Sequence, residues 1–266
     1  MVRLFHSART DVGMIRSGNE DNYAVNAQQG GERGLFIVAD GMGGHAAGEV
    51  ASEMAVNIIE NELSGIRDLD DPAVTDRVAS ALQKANRNIH DRTITEVDKQ
   101  GMGTTASVLL IARNKYLIGQ VGDSRVYVLR SGALRQLTKD HSYVQEQVDA
   151  GFLTPEQARY HPYSNVITRC VGASPDVEPD IYTGDVVTGD VFLVASDGLT
   201  GMVDDRRIAA LLMSRAEPER KVHALISEAN GRGGLDNITA IVVHIAPDDD
   251  GSSNARTQEM PINPAR

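Results

Sequence analysis

The sequence predicts an α+β fold, with antiparallel sheets at its centre and helices packed outside. Two observations predict it. Short apolar runs bounded by turn residues, at 35–39, 116–122, 191–196 and 238–243, read as buried strands. These strands come in blocks separated by helices, without the strand-helix alternation of a parallel sheet. A third observation concerns chemistry. Asp40 and Asp197 end two of these runs, Asp123 follows a third, and Asp236 stands just before the fourth.

Taken in order, residues 4–40 read as short strands and turns. Residues 48–63 read as a helix, because Ala51, Met54, Ala55, Ile58, Ile59 and Leu63 keep a 3.6-residue period and Gly65 stops it. Residues 71 to about 98 read as a second helix, with Pro72 near its start and Val74, Val78, Leu82, Ala85 and Ile89 on one face. Residues 104–137 read as a meander, with turns at Asn114 and at Ser131-Gly132. Residues 141–180 carry weak periodicity and Pro155, Pro162 and Pro175, and are expected to form a mobile excursion. A strand at 190–197, two helices within 204–230 and a last strand at 237–246 complete the order. One catalytic domain over 1–246 and a disordered acidic tail over 247–266, which contains Asp248-Asp249-Asp250, are expected.

The 266 residues, 41% of them hydrophobic, suffice for a sizeable core. A net charge of −11 argues against binding nucleic acid or an anionic membrane, because both need a positive field. It also means that local cations must capture a phosphorylated substrate. The apolar stretches fall short of a membrane span, and no signal-peptide core follows Met1. The single cysteine, Cys170, cannot form an internal disulfide, which fits a reducing, cytoplasmic setting.

Carboxylates at strand ends could converge on one sheet edge. Without counter-charges they repel, so they call for a hard divalent cation such as Mg²⁺ or Mn²⁺. A lone Asp-Gly pair is most often a turn. In Asp40-Gly41-Met42-Gly43-Gly44-His45, however, three glycines permit close approach of a ligand and leave the Gly41 carbonyl free as an oxygen donor. Arg16-Ser17-Gly18-Asn19-Glu20-Asp21 reads either as a solvated ion pair or as an arginine fork for phosphate beside water-holding carboxylates.

Gly103-Thr104-Thr105 reads as a tight turn into a strand, and His141 as a structural hydrogen-bonding residue. His161 reads as a surface histidine. Asp123 could pair with Arg125 or cap a turn. A cysteine-dependent phosphatase needs an arginine six positions after its nucleophile. Asp176 stands there, so Cys170 fails that test, and neither a Gly-x-Ser-x-Gly elbow nor a Walker loop occurs.

The ordered motifs Arg16…Asn19-Glu20-Asp21, Asp40-Gly41-Met42-Gly43-Gly44-His45, Gly103-Thr104-Thr105, Gly122-Asp123-Ser124-Arg125, Ser196-Asp197-Gly198 and Asp236-Asn237 are specific together. The chain resembles the metal-dependent serine/threonine protein phosphatases of type 2C, in their compact bacterial form, over about residues 5–246. The resemblance implies a four-layer α-β-β-α sandwich with two core Mn²⁺ or Mg²⁺ ions at one end. Asp40 would bridge them, the Gly41 carbonyl would bind one, and Asp197 and Asp236 would bind the other. Asp123 with Asp197 would hold a weaker third ion. Arg16 would bind phosphate. Asp21, with Glu20, would hold metal-bound water, and 141–180 would be the flap.

Two departures matter. Met42 replaces the histidine of animal members, so His45 or a water would protonate the leaving group. Glu20 stands where many bacterial relatives carry Gln, and would strengthen one metal position.

The implied reaction is direct attack on phosphoserine or phosphothreonine by a metal-bridging hydroxide. It would oppose a serine/threonine kinase, and the enzyme is expected to be a monomer. Two alternatives are a silent phosphoprotein-binding relative and a hydrolase of small phosphoesters. Intact Asp40, Asp197 and Asp236 argue against the first.

Overall fold

The computed structural model describes residues 2–43 and 47–248. One sheet has the strand order β1 (Val2–Asp11), β11 (Ile238–Pro247), β10 (Val191–Ala195), β7 (Arg125–Arg130) and β8 (Ala133–Gln136). The other has the order β2 (Asp21–Ala27), β3 (Arg33–Met42), β5 (Ala106–Ala112), β6 (Lys115–Val121) and β9 (Asp180–Asp185). The short strand β4 (Gly103–Thr104) pairs with β3 in addition. Every pairing is antiparallel.

Period-two alternation builds three apolar layers. Along β3, Leu35, Ile37 and Ala39 face α1 (Ala47–Leu63) and α2 (Ala73–Thr95). Phe36 and Val38 face the gap between the sheets, where they meet Phe192, Val194, Ile241 and Val243. Burying a side chain such as Phe36 or Phe192 stabilises the fold by about 1.5–3 kcal/mol. The opposite face of β10 and β11 packs on α6 (Asp205–Leu212) and α7 (Pro218–Gly231) through Leu193, Val242, Ile208, Leu225 and Ile226. The layer order is therefore α-β-β-α.

Three expectations need correction. The stretch 104–137 is not one meander: β5 and β6 belong to one sheet, β7 and β8 to the other, and the chain crosses between them at Gly122-Asp123-Ser124. Asp40 does not end its strand, because β3 runs on to Met42 while β4 continues the ladder beside it. The segment 141–180 is folded, with α3 (Tyr143–Asp149) and α4 (Pro155–Arg159). Thr154 closes a capping box on α4, the bridge Ser142–Ile167 closes the segment on itself, and the bridge Thr104–Val171 ties it to the body.

The expected tail begins with described residues: Pro247 ends β11 and Asp248 pairs with Arg3 at 2.7 Å. Residues 249–266 lie outside the described residues. Among the described residues, no helix is long and apolar enough to cross a membrane.

Candidate active site

The alternation that builds the middle layer also places its polar end. Asp40 continues the Phe36, Val38 face of β3, Ser196 continues the Phe192, Val194 face of β10, and Thr239 lies in phase with Ile241 and Val243 on β11. The gap between the sheets thus turns from apolar to acidic at one end.

Register holds the first carboxylates there. Asp21 stands opposite Asp40 on β2. The ladder that pairs Val38 with Ser107 and Gly41 with Thr104 puts Thr105 opposite Asp40 on the other side. Asp40 N–H donates to Thr105 Oγ1 at 2.9 Å, and Asp40 C=O accepts from Thr104 Oγ1 at 2.9 Å and from Thr105 N–H at 2.8 Å. The threonines therefore clamp the backbone of Asp40, a role that the tight-turn reading missed. Thr105 Oγ1 also lies 2.8 Å from Ser124 Oγ, next to Asp123.

Asp123 sits in the crossing loop. Gln120 Nε2 donates to the carbonyls of Gly122 (3.0 Å) and Ser124 (2.7 Å), and Gly122 N–H donates to His141 Nδ1 at 3.1 Å. That acceptor role leaves the proton of neutral His141 on Nε2, 3.2 Å from Asp180 Oδ2. His141 is a structural hydrogen-bonding residue, as its sequence context predicts. Asp123 does not pair with Arg125. The Arg125 guanidinium grips Asp140 instead, at 2.7–3.0 Å.

Asp197 opens the short helix α5 (Asp197–Thr200), and Asp236 precedes β11. Arg16 Nη2 donates to Asp236 Oδ2 at 2.8 Å, while Asn237 N–H donates to Asp236 Oδ1. The ion-pair reading of Arg16 thus holds in this structure, and its partner is a proposed metal ligand rather than neighbouring Glu20. Glu20 immediately precedes β2 and lies against the start of α1. Its side chain packs against Gly48, and its carbonyl accepts from Gly41 N–H at 3.1 Å and Ser52 Oγ at 2.6 Å. A Cβ on Gly41 would come within 2.2 Å of the Gly48 carbonyl oxygen, so close packing of α1 on β3 requires glycine there. His45 lies outside the described residues.

Electrostatics shows what this end lacks. Desolvation by burial, and then the neighbours Asp21, Asp197 and Asp123, hold the Asp40 carboxyl well above its ordinary range. Burial and then Asp197 do the same to Asp123. Asp197 is raised by burial and then by Asp236. Asp21, pushed up to about 7 by burial, is only partly relieved by the Ser196 and Thr239 hydroxyls, which donate to its Oδ2 at 2.8 and 2.6 Å. Asp21 Oδ1 and Asp123 Oδ1 are buried without a hydrogen-bond partner among the described residues.

Carboxylate oxygens left bare in this way fit hard divalent cations. Among the described residues, no three His, Cys, Asp or Glu side chains are drawn together tightly enough to enclose an ion by themselves. Mg²⁺-type sites keep several waters and take few protein ligands, so a set of spaced carboxylates suits them.

A cavity of about 530 Å³ adjoins the carboxylates, lined by Asp123, Asp197 and Asp236 on one side and by Val144, Ala158 and Asn165 of the 141–180 segment on the other. Cys170 is half-buried, and burial pushes its thiol up, which does not suit a nucleophile. His161 is half-buried, against the rings of Tyr143 and Tyr163.

Ser196, Thr239 and Asn237 carried no assigned role in the sequence, and Thr105 only that of a turn. The signal was present for Ser196 and Thr239, because each continues an inward-facing alternation where an apolar residue is expected. Asn237 carried none: its side chain accepts from Glu20 N–H and donates to the carbonyls of Val12 and Gly18, contacts more than 200 residues apart in sequence.

A family model described as protein phosphatase 2C matches residues 15–229. The serine/threonine phosphatase stp of Listeria monocytogenes serotype 4b is 39% identical over 238 residues, which cover 88% of this chain and 93% of that protein. The crystal structure of the Mycobacterium tuberculosis serine/threonine phosphatase PstP/Ppp superposes with a TM-score of 0.83 at 38% identity, covering 92% of this chain and 100% of that one. A structure of the catalytic domain of the serine/threonine protein phosphatase PstP, in complex with two manganese ions, superposes at 0.82 with 36% identity, covering 93% and 100%.

Proposed function

We infer the chemistry of this site from one premise: the chain belongs to the protein phosphatase 2C family. It is a metal-dependent serine/threonine phosphatase of bacterial type that acts on phosphorylated proteins. The observation that carries the site assignment is the set of four carboxylates, Asp40, Asp123, Asp197 and Asp236, gathered at one end of the sandwich beside Asp21 and its bare oxygen.

Asp40, the Gly41 carbonyl, Asp197 and Asp236 would hold two Mn²⁺ or Mg²⁺ ions, with Glu20 supporting one position. Asp123 with Asp197 would hold a weaker third. Bound divalent ions supply Lewis acidity and lower the pKa of water toward neutrality. Asp21, its Oδ2 fixed by Ser196 and Thr239, presents Oδ1 as an acceptor that orients water. The Arg16 guanidinium, half-exposed, turns from Asp236 to the phosphoryl oxygens and offsets their charge. As the bond from phosphorus to the serine or threonine oxygen breaks, His45 or a water returns a proton to that oxygen. No protein nucleophile is required.

The segment 141–180 forms the far wall of the cavity and acts as a flap over it. In this reading the enzyme is a cytoplasmic monomer that reverses a serine/threonine kinase.

The test compares turnover of a phosphothreonine peptide with that of small metabolite phosphates, with and without Mn²⁺. The peptide is expected to be preferred, and both activities to require the metal. Asp197→Ala and Asp236→Ala are expected to abolish Mn²⁺-dependent hydrolysis of p-nitrophenyl phosphate. Activity within threefold of the parent at saturating Mn²⁺ would remove the metal assignment.

A further inference from the structure

Large aliphatic side chains stand in water immediately beside the Arg16–Asp236 pair. Met14 is 66% exposed, Ile15 67% and Leu235 57%. Ile15 directly precedes Arg16, Leu235 directly precedes Asp236, and the two charged side chains meet at 2.8 Å. Ile15 and Leu235 therefore flank the proposed phosphate-binding pair from two different loops.

These loops are tied together. Met14 N–H donates to the Gly234 carbonyl at 2.8 Å. Asn237 Nδ2 donates to the carbonyls of Val12 and Gly18, each at 2.9 Å, and its Oδ1 accepts from Glu20 N–H at 2.8 Å. Gly13 adopts φ +82°, and a Cβ there would fall 2.2 Å from the Asp236 carbonyl oxygen, so the two backbones lie in direct contact. The Met14 side chain covers Gly234, where a Cβ would come within 2.8 Å of Met14 Cγ. Exposure here belongs to loops pinned by hydrogen bonds on both sides. Leu235 also lines the cavity that holds Asp123, Asp197 and Asp236, which makes the apolar surface continuous with the site.

A single exposed Leu needs no explanation, but a cluster held rigidly beside a reactive centre marks a contact surface. We propose that Met14, Ile15 and Leu235 form a specificity subsite for an apolar side chain within two positions of the phosphorylated residue of a protein substrate. The inference rests on the phosphatase reading above. The partner's chemistry follows from the surface. It offers aliphatic area and no charge of its own, and the phosphate, held at Arg16, brings the neighbouring residues of an extended segment within reach at about 3.3–3.6 Å per residue.

The test uses two phosphothreonine peptides. They differ only at the two positions on each side of the phosphothreonine, which are Leu in one and Ser in the other. Apolar contacts discriminate by about 10–200-fold in favourable cases. The parent, with Mn²⁺, is expected to prefer the Leu peptide at least about tenfold in kcat/KM. In the Met14→Ser/Ile15→Ser double variant the preference should fall to about twofold, while turnover of p-nitrophenyl phosphate stays at the parent value. Both positions are exposed, so folding should persist, and that control activity reports it. Equal use of the two peptides by the parent, or a preference that survives the double substitution, would overturn the subsite alone. Failure of the parent to turn over either peptide would overturn the phosphatase reading and the subsite with it.

Discussion

Asp21 and Asp40 stand directly opposite one another on paired antiparallel strands, and both face the gap between the sheets. Like charges so placed repel. The chain relieves Asp21 only in part, through two hydroxyl donors on one oxygen, and its carboxyl is pushed up to about 7. Such an arrangement sacrifices stability in the metal-free protein and leaves oxygens ready for cations.

The first prediction follows from that shift. A carboxyl whose folded pKa lies above its unfolded value favours folding least when it must ionise. The stability it allows is fully present below the unfolded value of 3.8 and is lost as pH rises through about 7. Asp21→Asn removes this loss. In EDTA, its Tm relative to the parent should climb from about pH 4 to about pH 7 and level off above that, by roughly 2–4 °C per kcal/mol relieved. Calorimetry that shows a pH-independent difference would mean that Asp21 ionises normally.

Arg16 and Asp236 are both substantially exposed, so their ion pair contributes about 0–1 kcal/mol to stability. Arg16→Ala should leave Tm nearly unchanged. A charged hydrogen bond to substrate contributes about 1.5–3 kcal/mol, so KM for a phosphothreonine peptide should rise about tenfold or more. Steady-state kinetics with KM and kcat both unchanged would leave Arg16 as a surface ion pair only.

Asp123 has a buried oxygen with no partner among the described residues, and Arg125 is occupied by Asp140. Asp123→Asn should therefore keep the fold, with a Tm in EDTA at or above that of the parent. Turnover should fall, and the Mn²⁺ concentration for half-maximal activity should rise. Crystals soaked in high Mn²⁺ should show a third metal peak at Asp123 in the parent that is lost in the variant. No such peak in the parent, with normal variant kinetics, would make Asp123 a structural residue.

The wall that the 141–180 segment gives the cavity yields a further expectation. Residues 154–161 include α4, whose Ala158 and Arg159 line the cavity, and Arg159 Nη2 donates to the Thr200 carbonyl at the end of α5 at 3.2 Å. Shortening this tip should reduce phosphopeptide turnover by at least about fivefold more than p-nitrophenyl phosphate turnover, a difference of about 1 kcal/mol. Equal losses on both substrates, with Tm unchanged, would assign the tip a scaffold role.

Much of this molecule was legible in the sequence, for local reasons. Short apolar runs bounded by turn residues marked the strands, 3.6-residue periodicity marked α1 and α2, and both depend on near neighbours in the chain. The acidic motifs at Asp40, Asp197 and Asp236 were visible because each bounds an apolar run. Tertiary structure alone decided which carboxylates meet. Asp21 faces Asp40 through strand register, and Asp123 joins them because the chain changes sheets beside it. It also decided partners: Arg125 takes Asp140, Arg16 takes Asp236, and Asn237 ties the Arg16 loop to β11. Those pairings join residues up to about 220 positions apart. Sequence periodicity reports which face a side chain occupies, but only the packed sheets set what lies across from it.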